Sequence, residues 1–106
     1  MGDFNCSFAN SSLGVEGDFE RACSEITTSG FADPSSEQPI GPTFSHANNL
    51  VDKKERQVTL DHIFVSNARY HGTKVIFKDK VEIKKKKVTM MTNLSDHYGL
   101  SVKVQF

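Results

Sequence analysis

The hydrophobic pattern is clearest at the end of the chain. Tyr98, Leu100, Val102, Val104 and Phe106 alternate with Gly99, Ser101, Lys103 and Gln105, the two-residue period of a strand with one buried face. From Lys74 to Val88, the residues Val75, Phe77, Val81 and Ile83 share a face, and the stretch reads as one strand or two. Lys78-Asp79-Lys80 is then either a turn between two strands or the wet middle of one. Leu60 to Ser66, LDHIFVS, has a different pattern. Leu60 and Phe64 face one way, and Ile63 and Val65 face the other together with Asp61. Apolar residues on both faces predict a central strand covered on both sides. One helix is expected, from Asp18 to Ile26. Phe19, Ala22, Cys23 and Ile26 form an i, i+3, i+4, i+7 stripe suited to packing on a sheet, with Asp18 as N-cap and Gly30 past the exit. Between Ser29 and Lys54 the chain is a long loop punctuated by Pro34, Pro39 and Pro42, with Thr43-Phe44 as a short extended piece. Loops of that length in small domains tend to be functional.

Composition narrows the classes. With 106 residues, 37% hydrophobic and 25% charged, the chain is a small globular domain or part of one. Thirteen basic and thirteen acidic residues leave no net charge, hence no overall attraction to nucleic acid or an anionic membrane. No apolar run reaches transmembrane length and no signal peptide is visible. Cys6 and Cys23 have no metal-ligand spacing and are too few for a disulfide framework, so they read as two reduced, partly buried thiols. Met1-Gly2 with Cys6 fails the myristoylation pattern, and the sequons at Asn10 and Asn93 are short enough to arise by chance. His46, His62 and His71 match no compact ligand spacing and read as structural or surface residues. Lys84 to Lys87 reads as a solvated face or edge protection rather than a phosphate contact.

Three stretches carry polar groups that packing does not explain: GDFN with Asp3 and Asn5, LDHIFVS with Asp61, and LSDHYGL with Asp96 and His97. Carboxylates at strand ends can converge on a hard divalent cation. An Asp beside a His can orient the imidazole and stabilise its charged form. An Asn can donate to a phosphoryl oxygen. Together these groups are the equipment of metal-assisted phosphodiester cleavage.

In this order, the three stretches resemble the endonuclease/exonuclease/phosphatase superfamily, which includes deoxyribonucleases, abasic-site endonucleases, inositol polyphosphate 5-phosphatases and neutral sphingomyelinases. GDFN is similar to its Gly-Asp-hydrophobic-Asn motif. LDHIFVS resembles its Leu/Ile-Asp-aromatic-Ile-Phe strand, with His62 where Tyr is frequent. LSDHYGLSV resembles its Ser-Asp-His-hydrophobic-Pro/Gly ending. GFADP and the GPTFSHANN loop fit the style of the family's loops. The resemblance implies roles: Asp3 activates or orients the attacking water, and Asn5 holds the scissile phosphate. Asp96 helps bind magnesium or manganese, His97 contacts the phosphate and moves a proton, and Asp61 orients His97.

The resemblance also implies an α/β fold: half of a four-layer α/β sandwich, with a mixed or mostly antiparallel sheet and a flanking helix. Residues 1–106 would be the C-terminal half of the domain. The family's first-strand Asn, metal-binding Glu and second catalytic His have no counterpart here. The expected function is magnesium-dependent phosphoester hydrolysis, as a nuclease or general phosphodiesterase, by a chain inactive alone. A sphingomyelinase-like phosphodiesterase and a non-catalytic interaction module are the alternatives. The expected substrate is a nucleic acid or phospholipid headgroup. Self-association is expected through a sheet face carrying Val75, Phe77, Leu100, Val102 and Val104.

Overall fold

The computed structural model describes residues 1–106. Its strands form three antiparallel ribbons. Strand β1 (Gly2–Asp3) pairs with β2 (Asp61–His62), β3 (Arg69–Ile76) pairs with β6 (Gly99–Gln105), and β4 (Val81–Lys85) pairs with β5 (Val88–Thr92). Helices α1 (Glu20–Thr28) and α2 (Pro34–Glu37) precede β2. The chain is thus α/β with antiparallel pairing. It is not half of a four-layer sandwich with a flanking helix, because no sheet exceeds two strands and neither helix covers a broad sheet face.

The alternating C-terminal segment forms β6 as its period demands. Its partner β3 carries an irregularity between His71 and Lys74, where Gly72 takes a φ of 70°. Gly99 opens β6 for a steric reason: a Cβ there would lie 2.7 Å from the Phe77 ring and 2.8 Å from Ile76 Cγ1. The ambiguous stretch after Lys74 is a strand, a break and a hairpin. Phe77, at a φ of 59°, ends β3, and Lys78–Lys80 separate it from β4. The four lysines lie at the turn of the β4–β5 hairpin, exposed as expected of a solvated run, with Lys86 at a φ of 57°.

LDHIFVS is less regular than its composition predicts. Only Asp61 and His62 join a strand, and Val65 makes an isolated bridge to Ala32. The expected central strand is replaced by loop segments pressed on both sides. Helix α1 starts two residues later than its stripe suggests. Phe19 stands at the N-cap with no capping side chain, while Asp18 bridges to Ser7 and pairs with Arg56 at 3.1 Å. Within the stripe, Cys23 is buried but Phe19 and Ala22 are exposed, so α1 is fastened rather than broadly packed. The fastener is a disulfide between Cys6 and Cys23, which corrects the reading of two reduced thiols. Spacing along the chain carried no sign of it, because the pairing depends on the loop that folds α1 back over the segment after β1.

The interior is polar. The buried apolar residues are Cys6, Val15, Cys23, Val51, Val58, Val65 and Tyr98, whereas Ser7, Asp33, Thr43, Ser45, Asn48, Thr59, His62, Thr92 and Asn93 are buried and polar. Hydrogen bonds therefore specify this interior as much as apolar area does. Of the five residues expected on an uncovered sheet face, Phe77 is two-thirds exposed and Val104 sits at the margin, while Val75, Leu100 and Val102 are half-buried.

Candidate functional site

The β1–β2 register places Asp3 directly opposite Asp61. Residues directly opposite in an antiparallel pair share a face, so two carboxylates project together. Like charges so placed repel, and the group that relieves them comes from the far end of the chain. His97 Nδ1–H donates to Asp61 Oδ2 at 2.7 Å, and His97 Nε2 lies 3.9 Å from Asp3 Oδ2. Burial of the imidazole opposes its charge. The Asp61 hydrogen bond and the charges of Asp61, Asp3 and Asp96 outweigh that and hold His97 above its ordinary pKa. The three side chains stay partly open: His97 is 24% exposed, Asp61 20% and Asp3 41%.

The long proline-punctuated loop builds this arrangement. Thr43 is fully buried, and its hydroxyl accepts from the backbone N–H of Leu60 and of Asp61, at 3.0 and 3.3 Å. Its carbonyl accepts from Tyr98 N–H at 2.7 Å. One threonine thus joins the entry of β2 to the residue after His97. Asn48, also fully buried, donates from Nδ2 to Ser95 O at 2.7 Å and pins the Ser95-Asp96-His97 loop. Asn49 and Asn93 add reciprocal bonds: Asn49 Oδ1 accepts from Asn93 N–H at 2.6 Å, and Asn93 Oδ1 from Asn49 N–H at 3.1 Å. The Phe44 ring lies 5.2 Å from the His97 ring. Sequence reasoning marked this loop as functional in style but did not single out Thr43 or Asn48. Thr43 directly follows Pro42, whereas Asn48 sits in a polar run that sets it apart from none of its neighbours.

Asn5 adopts a left-handed φ of 52°, a conformation Asn tolerates, and its N–H donates to Asp3 Oδ1 at 2.9 Å. Asp3 is thereby fixed by its own turn while Oδ2 remains toward His97. Asp96 is exposed and accepts only a long 3.4 Å bond from Ser95 Oγ. Its influence on His97 is one of charge.

A hard divalent cation prefers a surround of oxygen donors. Asp3, Asp61 and Asp96 bring negative charge to one imidazole, but they do not converge on a common point. The group of three close donors in this chain is Cys6, Cys23 and His62, which supplies sulfur and nitrogen. The three carboxylates therefore do not form a ready-made cluster of oxygen donors, and Asp96 is exposed.

His62 is structural rather than on the surface, the first of the two readings its spacing left open. It is buried, with Nδ1 3.2 Å from Asp33 Oδ2 and Nε2 2.8 Å from Cys6 O. With Nε2–H donating to a carbonyl, a neutral ring would turn a lone pair on Nδ1 toward a carboxylate. The imidazolium satisfies both contacts. Burial opposes its charge, but the bonds to Asp33 and Cys6 prevail and raise its pKa. Burial likewise works against the Asp33 carboxylate, and the bonds from His62 and Ser35 prevail and lower its pKa. Comparison with family models, with curated proteins and with solved structures finds no match to this chain.

Proposed function

We propose that Asp3, Asp61 and His97 form part of a phosphoester-hydrolysing site, with a nucleic acid or general phosphodiester as substrate. The observation that carries the reading is the pairing of His97 Nδ1 with Asp61 at 2.7 Å, which leaves Nε2 beside Asp3 in partly open surroundings. Asp61 fixes the ring and favours its protonated form. Nε2–H is then the donor toward a phosphoryl or leaving-group oxygen, and the Asp3 carboxylate is the acceptor for the proton of an attacking water. Asn5 follows Asp3 on the same exposed turn and supplies a neutral donor for a phosphoryl oxygen.

Three carboxylates around one imidazolium repel an anionic substrate. A divalent cation would offset that repulsion, with Asp96 as the carboxylate the resemblance assigns to it and water and substrate oxygens completing its shell. The chain alone should therefore turn over substrate poorly.

A phospholipid headgroup is the second reading. It is favoured by the β4–β5 hairpin, which exposes Val88, Met90 and Met91 beside Lys84–Lys87. The test is calorimetric titration, with magnesium present, of bis(p-nitrophenyl) phosphate, a short DNA duplex and phosphocholine. Binding of a phosphodiester that is lost in His97→Ala and kept or tightened in Asp3→Ala supports the proposal. Absence of binding to all three would favour a non-catalytic module. Hydrolysis of the same ligands by the chain alone should be negligible. Robust turnover that disappears in His97→Ala would show instead that these residues suffice.

A further inference from the structure

Asp61 and His62 are neighbours on β2 and so project to opposite faces. The chemistry proposed above uses Asp61 and leaves His62 unexplained. Cys6 Sγ, Cys23 Sγ and a His62 ring nitrogen all lie within 4.8 Å of one another, and all three residues are buried. His62 Nε2 is 3.6 Å from Cys23 Sγ, and Nδ1 is held by Asp33. Two sulfurs and an imidazole are a donor set for zinc and similar borderline-soft cations, not for magnesium. An imidazole whose far nitrogen is bound to a carboxylate is also how proteins orient metal-binding histidines.

We infer that the reduced chain binds a zinc ion through Cys6 Sγ, Cys23 Sγ and His62 Nε2, with Asp33 holding His62 Nδ1–H, and that the Cys6–Cys23 disulfide is the metal-free oxidised form of the same site. Metal–sulfur lengths of about 2.3 Å in a tetrahedral site put the two sulfurs about 3.8 Å apart. The Cα atoms of Cys6 and Cys23 are 5.9 Å apart, which leaves room for the sulfurs to separate. A cavity of about 130 Å³ reaches His62, with Ser35, Ser36 and Thr59 among its walls. Neither Cys6 nor Cys23 lines it, so the fourth ligand to the ion is left to water or to a group that moves in on reduction.

The exchange balances. A dithiol reductant delivers two electrons and two protons to the Cys6–Cys23 bond, leaving two thiols and its own disulfide. Zinc then displaces a proton from each thiol and the Nε2 proton that His62 donates to Cys6 O in the oxidised form. Asp33 keeps its bond to Nδ1–H throughout.

The experiment reduces the full chain with a dithiol, removes the dithiol anaerobically and titrates with cobalt(II), followed by zinc. The expected result is stoichiometric binding with thiolate-to-cobalt charge-transfer absorption and tetrahedral ligand-field bands, bleached by zinc. The oxidised chain should show neither band. Cys23→Ser should lose the charge-transfer intensity of one thiolate together with tight binding. Asp33→Asn, the gentler substitution, should weaken binding by about ten- to a hundredfold. If the reduced chain unfolds without metal, zinc should restore its circular dichroism, because binding free energy is then folding free energy. Three results would overturn the inference: a folded reduced chain that binds cobalt no better than Cys23→Ser, unchanged spectrum and affinity in His62→Ala, or an unfolded reduced chain that zinc does not refold.

Discussion

Two Asp-His dipeptides occur in this chain, Asp61-His62 and Asp96-His97, and neither pairs within itself. His97 takes Asp61 as its carboxylate and His62 takes Asp33, while Asp96 faces solvent. The two resulting pairs have the same chemistry in different surroundings. In the His62–Asp33 pair both side chains are 1% exposed, and the second imidazole nitrogen is occupied by the Cys6 carbonyl. In the His97–Asp61 pair both side chains are partly open, and the second nitrogen points toward another carboxylate 3.9 Å away. A buried pair with every polar group satisfied holds structure. A half-open pair with one nitrogen unclaimed can meet a ligand. The difference lies in the free nitrogen and the access to it, not in the residue types.

The contrast should be largest in stability. Removing one partner of a buried charge pair costs roughly 3–5 kcal/mol, because the other charge is left uncompensated. Asp33→Ala should therefore lower the unfolding free energy by that order in urea melts. His97→Ala should change it by about 1 kcal/mol or less, as expected of a pair open to solvent. Equal losses in the two variants would erase the distinction. Cys23→Ser ranks next. The Cys6–Cys23 bond closes a loop with a sequence separation of 17, and chain-entropy reasoning puts its removal at about 3 kcal/mol. The same melts, run without reductant, check this.

A pH series sharpens the comparison. The folded pKa of His62 lies above its ordinary 6.5, so its contribution is complete below 6.5 and is lost as pH rises through the folded value. The folded pKa of Asp33 lies below its ordinary 3.8, so its contribution is complete above 3.8 and is lost as pH falls through the folded value. The pair should stabilise the oxidised chain most between those limits and decline on the alkaline side. Asp33→Ala should flatten the alkaline decline. A wild-type profile with no alkaline decline, falling instead as pH drops below 6.5, would show that His62 is buried neutral.

Much of this arrangement was legible in residue order, and the remainder depended on tertiary detail. The two-residue period of β6 needs only local sterics and one apolar face, so it could be read directly. Asp3, Asn5, Asp61 and His97 stood out because three polar stretches occur in the order of one family's motifs, and the structure brings Asp3, Asp61 and His97 together. The Cys6–Cys23 bond and the His62–Asp33 pair were not legible. Each joins segments through a long connection whose path the local pattern does not determine. The four-layer expectation followed from resemblance rather than from periodicity, and the short β1 and β2 and the broken LDHIFVS segment do not build it. Lys84–Lys87 gives the smallest expected effect. Lys85→Ala, at an exposed hairpin turn, should alter stability by no more than about 0.5 kcal/mol.

The central claim is that His97 offers a free imidazole nitrogen to a phosphoester while His62 does not. The direct measurement is nitrogen-15 and proton NMR of both histidine rings in the oxidised chain, during titration with bis(p-nitrophenyl) phosphate in the presence of magnesium. The account predicts that the Nε2 and Hε1 signals of His97 shift progressively and saturate, that Asp61→Asn reduces the response, and that the His62 ring signals stay fixed. Movement of the His62 ring with a silent His97 ring would contradict it, as would no response from either ring.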